Sequence, residues 1–377
     1  MKKGMRIILF MIMCAVATAS LAQRSISIEN PEVERLIKED IQHLYNTEIE
    51  ESKRLNAKIR ELLPDHPVNP LLEALAIRAA YQPMEPESPE MAELKKDLYE
   101  VIKKAEVMLD KDDDDPEANF FAMAGYGLLA VYEKESGNSM KALSQAKDAY
   151  GYLKNGMEMQ DEYVEFYFST GLYNYYRERY PEVHSFYRPF MWFFKSGDKA
   201  LGLKQVKKAE QESIFMEAEA ADYLAHIYLY YENKPKQALV YARKLVNQYP
   251  KNLYFNANFL NAALTADNYQ NLEAPIERLV QNDRPYYQMA GHLFEGMLLE
   301  KRDHNYDEAE QQYVKSLEIG TGLKSEEAEN YRSYAYAGLA RIAHQEKKYA
   351  QARNLYEKAL SSARYQVVEQ EAKKYLN

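Results

Sequence analysis

At 377 residues, 46% of them apolar, the chain is long enough for one extended helical array or for two ordinary domains. A formal charge of −10 makes nucleic acid and anionic membrane surfaces poor partners. Ala, Leu, Glu, Lys and Gln are plentiful while Val and Thr are sparse, a balance that leans to helix over strand.

The first 22 residues stand apart from the rest of the chain. Lys2, Lys3 and Arg6 make a basic start, residues 7–17 an apolar run, and Ser20, Leu21 and Ala22 a small-residue cleavage point. This is the layout of a secretory signal peptide, with an apolar run too short to span a bilayer; cleavage is expected after Ala22, an uncleaved anchor being the alternative. Cys14 is the only cysteine and lies inside this leader. The mature chain then has no disulfide, thiolate nucleophile or Cys-ligated metal. Losing three cations takes the formal charge from −10 to −13. No later stretch approaches the ~20 apolar residues of a spanning helix. The expected location is therefore exported, periplasmic or otherwise in the cell envelope, in a chain of bacterial style.

Helical patterns follow in pairs. The first covers 31–45 and 48–63, ended by Pro64 and Pro67, since proline neither continues a helix nor lets its predecessor do so easily. The second covers 71–81 and 91–109 around a loop with three prolines. The acidic run 110–115 has neither the Gly nor the closing Glu of a calcium loop, and carboxylates before Pro116 suit a helix N-terminus. The third pair, 117–134 and 139–157, carries Ala142, Ala146 and Ala149 as small residues at close-contact spacing. The fourth joins 161–179 to 198–211, with an interruption at 180–196. The fifth is 212–232 with 236–249, the sixth 253–265 with 269–280, and the seventh 285–300 with 306–319. The eighth occupies 325–364, before a short capping helix at 365–376.

The eighth unit shows the pattern best. Tyr336, Leu339, Ala340 and Ala343 share one helical face, as do Tyr349, Ala352, Tyr356 and Ala359 after a polar break at 346–348. Small residues at Ala340, Ala352 and Ala359 let two antiparallel helices approach, while Tyr349 and Tyr356 fill the space beside them. The equivalent markers Ala238, Leu272, Ala309 and Ala352 recur at steps of 34, 37 and 43 residues. This spacing resembles the tetratricopeptide repeat, a helix-turn-helix unit of about 34 residues that stacks on its neighbours. Tyr336 stands where that family usually has Trp, and Ala343 where it usually has Tyr. The resemblance implies an all-α right-handed helical-repeat superhelix, an α-solenoid of about eight antiparallel helix pairs. Its concave groove would be lined mainly by the first helix of each pair.

Catalytic sets are missing from the sequence: there is no phosphate-binding Gly-rich loop, no HExxH and no nucleophile elbow. Asp222 and His226, four apart, share a helix face, where a surface hydrogen bond is the expected role over metal ligation. No cofactor or metal is expected. The unusual stretch is 161–194, with 14 aromatic residues in 34 and the only tryptophan, Trp192. Its interruption is longer than most ordered loops. Phe186, Phe190, Phe193 and Phe194 are expected to plug a gap between repeats. Tyr176, Arg177, Tyr180, His184, Tyr187 and Arg188 are the ligand-binding candidates, because Tyr, Trp and Arg are the types enriched at binding hot spots.

The resemblance implies binding of extended peptides or partner proteins, usually without catalysis. The expected function is a non-catalytic exported interaction scaffold that binds a protein or extended peptide of the cell envelope in its concave groove. The alternative is a carbohydrate or other small-ligand binder using the 161–194 aromatics. A carboxylate glycosidase comes third.

Overall fold

A computed structural model describes residues 27–84, 88–183, 194–363 and 365–377. The leader, and His184 to Phe193 of the interruption, lie outside them. Among the described residues there are seventeen α-helices. They form eight consecutive pairs: α1 (Pro31–Tyr45) with α2 (Ile49–Leu62), α3 (Val68–Tyr81) with α4 (Pro89–Leu109), and α5 (Pro116–Glu135) with α6 (Ser139–Met159). Next come α7 (Phe166–Val183) with α8 (Lys199–Glu212), α9 (Glu217–His226) with α10 (Pro235–Gln248), and α11 (Leu253–Thr265) with α12 (Glu273–Val280). The last pairs are α13 (Pro285–Leu298) with α14 (Tyr306–Ile319) and α15 (Glu326–Gln345) with α16 (Tyr349–Ser362), followed by the cap α17 (Gln366–Leu376).

Local chemistry sets many of these starts. Asn30, Ser88, Asp115, Asp198, Asn252, Asn305 and Ser325 each accept a backbone N–H of the first turn, satisfying donors that a helix leaves open. Asp115 does this for Ala118 at 3.0 Å, so the acidic run caps α5. The π-helical turns Ile227–Tyr231 and Leu299–Asp303 extend α9 and α13.

The repeat markers are where the helices touch. Ala238, Leu272, Ala309, Ala352, Ala340 and Ala359 are all fully buried. Tyr313 is wedged between two glycines: a Cβ on Gly338 would fall 2.4 Å from its ring, and one on Gly296 2.9 Å. Its hydroxyl donates to Glu300 at 2.5 Å, and Arg341 bridges Glu300 at 2.6 Å to Glu371 of α17 at 2.8 Å. The cap is thereby fixed to the last two pairs.

Several sequence expectations change. Tyr349 is exposed and fills no gap, because it sits in the first turn of α16 outside the contact. Ala146 is exposed and Ala142 and Ala149 half-buried, because α6 packs closely on α5 and only lightly on α7, leaving Met140 and Leu143 bare. Leu272 marks a contact from the residue before α12, which is one turn shorter at its start than the sequence pattern. Helix α7 runs on through Pro181 to Val183.

In a solenoid each unit contacts its neighbours; here the two ends of the array also meet its middle. The Tyr45 ring of α1 packs on Tyr249 and Phe255 at 5.2 and 5.7 Å. Its hydroxyl donates to Glu219 at 2.5 Å, and Arg78 of α3 forms a two-pronged pair with the same carboxylate at 2.7 and 3.0 Å. Arg284, before α13, donates to the carbonyls of Tyr81, Gln82 and Pro83 at the end of α3. The superhelix closes on itself.

Overpacking is the sharpest test of the C-terminal contact. Gly338→Ala should lower stability by ~1 to 3 kcal/mol, read as a drop in the denaturant midpoint; an unchanged midpoint would show that Tyr313 has room to move.

Candidate functional site

Closure brings the inner faces of the first helices together around a chamber. Helix α9 contributes Asp222 and His226 at a four-residue step, and its π-helical turn adds Tyr230 after one more. Helix α11 contributes Tyr254, Asn258 and Asn261, and α15 contributes Glu327, Asn330 and Tyr331. These spacings of three and four put each set on one helical face. Tyr365, in the turn before α17, closes one side by stacking on Tyr230 at 4.1 Å. The cavity has a volume of about 50 Å³.

The π-helical turn explains why two successive tyrosines serve the same region. The N–H of Glu232 bonds the carbonyl of Ile227, one residue further back than in an α-helix, and widens the last turn. Tyr230 and Tyr231 both meet Tyr365, and both approach the His226 ring. Side-chain amides order the walls: Asn258 donates to Asp222 at 2.9 Å and Asn261 to the Tyr230 hydroxyl at 2.6 Å. Asp222 and Asn258 are 36 residues apart, one repeat, and occupy matching positions of consecutive first helices.

Charge in the chamber is one-sided. Burial, with the nearby charge of Glu219 adding to it, pushes the Asp222 carboxyl up to about 7. Burial also raises Glu327, and pushes His226 down to about 4, so the imidazole is neutral at pH 7. Burial raises Tyr230, Tyr254, Tyr331 and Tyr365 too, keeping them as neutral phenols. Arg78 acts on Asp222 from a distance but is paired with Glu219.

The sequence-predicted cluster is divided by the structure. Tyr176 points inward, edge-on to Tyr231 at 5.4 Å, and so extends the tyrosine run of the chamber. Tyr180 lies within electrostatic reach of Tyr231 and of Lys134. Arg177 turns the other way, towards Tyr173 and the Glu178 carboxylate at 3.6 Å, with its stem against the position of Gly197. His184, Tyr187 and Arg188 lie outside the described residues, as do Phe186, Phe190 and Phe193. Phe194 is no core plug: it is 39% exposed and rests edge-on against Tyr150. Other rings of α7 and the turn before it are core, with Tyr163, Phe166, Tyr167 and Tyr175 buried.

Asp222 and His226 share a face, but it is the chamber's face; the outer-surface hydrogen bond expected for them is replaced by the one to Asn258. Among the described residues no group of three His, Cys, Asp or Glu side chains is placed to hold a metal ion, and no helix is long and apolar enough to cross a membrane. Sequence reading missed Asn258, Asn261, Glu327 and Asn330. The available signal was a polar residue recurring on the first helix of successive repeats at positions where a packed face calls for apolar ones.

No protein-family profile matches the chain, and no curated protein does. Among solved structures it is similar to yeast Tom70, at 13% identity and TM-score 0.37 over 81% of this chain, which spans 62% of that one. It is also similar to the human IFIT1 dimer with m7Gppp-AAAA, at 14% identity and TM-score 0.34 over 93% of this chain and 86% of that one. The TPR domain of P58(IPK) gives 14% identity and TM-score 0.23 over 92% and 96%. All three scores are below 0.5, and the architecture stands on the chain's own helix pairs.

The raised Asp222 carboxyl fixes the sign of a pH effect. Between about pH 4 and pH 7 the folded chain holds a proton there that the unfolded chain has released, so this group's contribution to stability falls as pH rises through that window. Asp222→Asn removes the contribution. Its stability relative to wild type should therefore be greater at pH 8 than at pH 4, by paired denaturant melts; a difference that does not change with pH would show that Asp222 titrates normally.

Proposed function

We propose that the protein is an exported, non-catalytic binding scaffold whose binding surface is the inner face built by the first helices. The observation that carries this reading is the chamber itself. A face meant only to pack would be apolar, whereas α9, α11 and α15 turn carboxylates, amides, an imidazole and phenols toward an open space. Its size admits the end of a side chain or a very small molecule rather than a length of folded chain, so a protein partner would engage it by inserting one group. Tyr176 and Tyr231 extend the same surface beyond the chamber. Export is supported by the basic start, apolar run and small-residue site of residues 1–22, and by the lack of cysteine after them.

Site-specific photocrosslinking in envelope extract tests the scaffold reading. A benzophenone side chain at Tyr176 should give a discrete partner adduct, and the same group at Val240, 65% exposed on α10, should not. Equal adducts from both positions, or none from Tyr176, would refute the inner face as the binding surface.

Export has its own test. N-terminal sequencing of the envelope fraction should begin at Gln23, within a residue or two, and an intact Met1 terminus on a cytoplasmic species would refute it.

A further inference from the structure

The chamber holds negative charge that the fold leaves uncompensated. Asp222 and Glu327 both line it, and among the described residues neither forms an ion pair. Arg78, the cation within electrostatic reach of Asp222, is already two-pronged on Glu219. Around the carboxylates stand the rings of Tyr230, Tyr254, Tyr331 and Tyr365, whose faces carry negative potential.

Tyr286 of α13 lies behind this wall: it is 4% exposed, its hydroxyl approaches that of the lining residue Tyr331, and it stands within electrostatic reach of Glu327.

These features select among ligand chemistries. An anion would meet two carboxylates and, among the described lining residues, no Lys or Arg. A sugar would find rings and amides but bring no positive charge to two carboxyls whose ionised forms burial already opposes. A cation bearing N–H groups answers both features: charge for Asp222 and Glu327, and ring faces for cation–π contact. We propose that the chamber is a binding site for an organic cation, an alkylammonium or guanidinium group, held between the carboxylates of Asp222 and Glu327 within the tyrosine rings. This rests on the inner face being the binding surface and names the chemistry it recognises.

Calorimetric titration of the purified protein tests it with cadaverine, with the neutral pentane-1,5-diol and with maltose. Cadaverine should bind at least 100-fold more tightly than the diol, and Asp222→Asn and Glu327→Gln should each weaken it tenfold or more while retaining a cooperative melt. Two variants are used so that misfolding of one leaves the other to decide. A blocked pentapeptide with a central lysine, set against its acetyl-lysine twin, separates the sources. Capture of the lysine form alone assigns the cation to a partner chain, and capture of cadaverine without either peptide assigns it to a free amine. Diol or maltose binding as tight as cadaverine, or cadaverine binding unchanged in both variants, overturns the proposal. If both peptides bind equally and cadaverine does not, the scaffold reading stands and the cation falls.

Discussion

The closure of the superhelix turns on one buried junction. Glu219 of α9 takes the guanidinium of Arg78 from the second pair and the hydroxyl of Tyr45 from the first, at 7% exposure. Burial opposes the charge on Glu219, but the Arg78 guanidinium and the two sets of hydrogen bonds outweigh it and hold the carboxyl below its ordinary range. A buried pair of this kind gives little net stability against an apolar replacement, yet removing one partner strands a charge and costs ~3 to 5 kcal/mol. Its effect is therefore on register. It fixes which turn of α3 meets which turn of α9, more narrowly than the surrounding rings of Tyr45, Tyr249 and Phe255 could.

Everything on the inner face inherits that geometry. With α1 and α3 held against α9, and Arg284 tying the start of α13 to the end of α3, the first helices cannot spread into an open trough. Asp222 lies three residues after Glu219, one step along the same helix, and the charge of Glu219 adds to its burial in raising it. The junction that closes the superhelix thus also loads the chamber: it engages Arg78, the guanidinium that acts on Asp222, and leaves beside it a second carboxylate that forms no ion pair among the described residues. Tight winding and an electrically unbalanced interior have the same cause.

Much of the architecture was legible in the residues. Helix pairs could be read because apolar positions three and four apart alternate with proline, glycine and asparagine breaks, and because Ala238, Ala309 and Ala352 mark close contacts that tolerate little else. The acidic run ending at Asp115 was legible as a helix start, since capping is local chemistry. Tyr349 and Ala146 misled because periodicity says which residues share a face and not whether a neighbour covers it. The fourth pair drew attention for its aromatic density, but that density divides among core, outer surface and inner face: Tyr175 is buried, Phe194 exposed, and Tyr176 turned toward Tyr231. Residue type alone could not make that division, because a tyrosine satisfies all three environments.

The chamber itself was out of reach for a further reason. Asp222, Asn258 and Glu327 come from three different repeats: Asp222 and Asn258 meet as neighbours one repeat apart, while Glu327, from the last pair, reaches the same space through the curvature of the array. Repeat spacing reports the step from one unit to the next and says nothing about how tightly the steps curve. Curvature here is set by a few side chains, Tyr45, Arg78, Arg284 and Tyr365, none of which belongs to the repeat pattern. Tyr365 carries the point furthest. It precedes the cap, a part whose ordinary task is to cover the apolar end of the last repeat, yet its ring lies on Tyr230 and beside His226. The end of the solenoid has become a wall of its interior, and the same polar tips that would solvate an open groove are left facing an enclosed space.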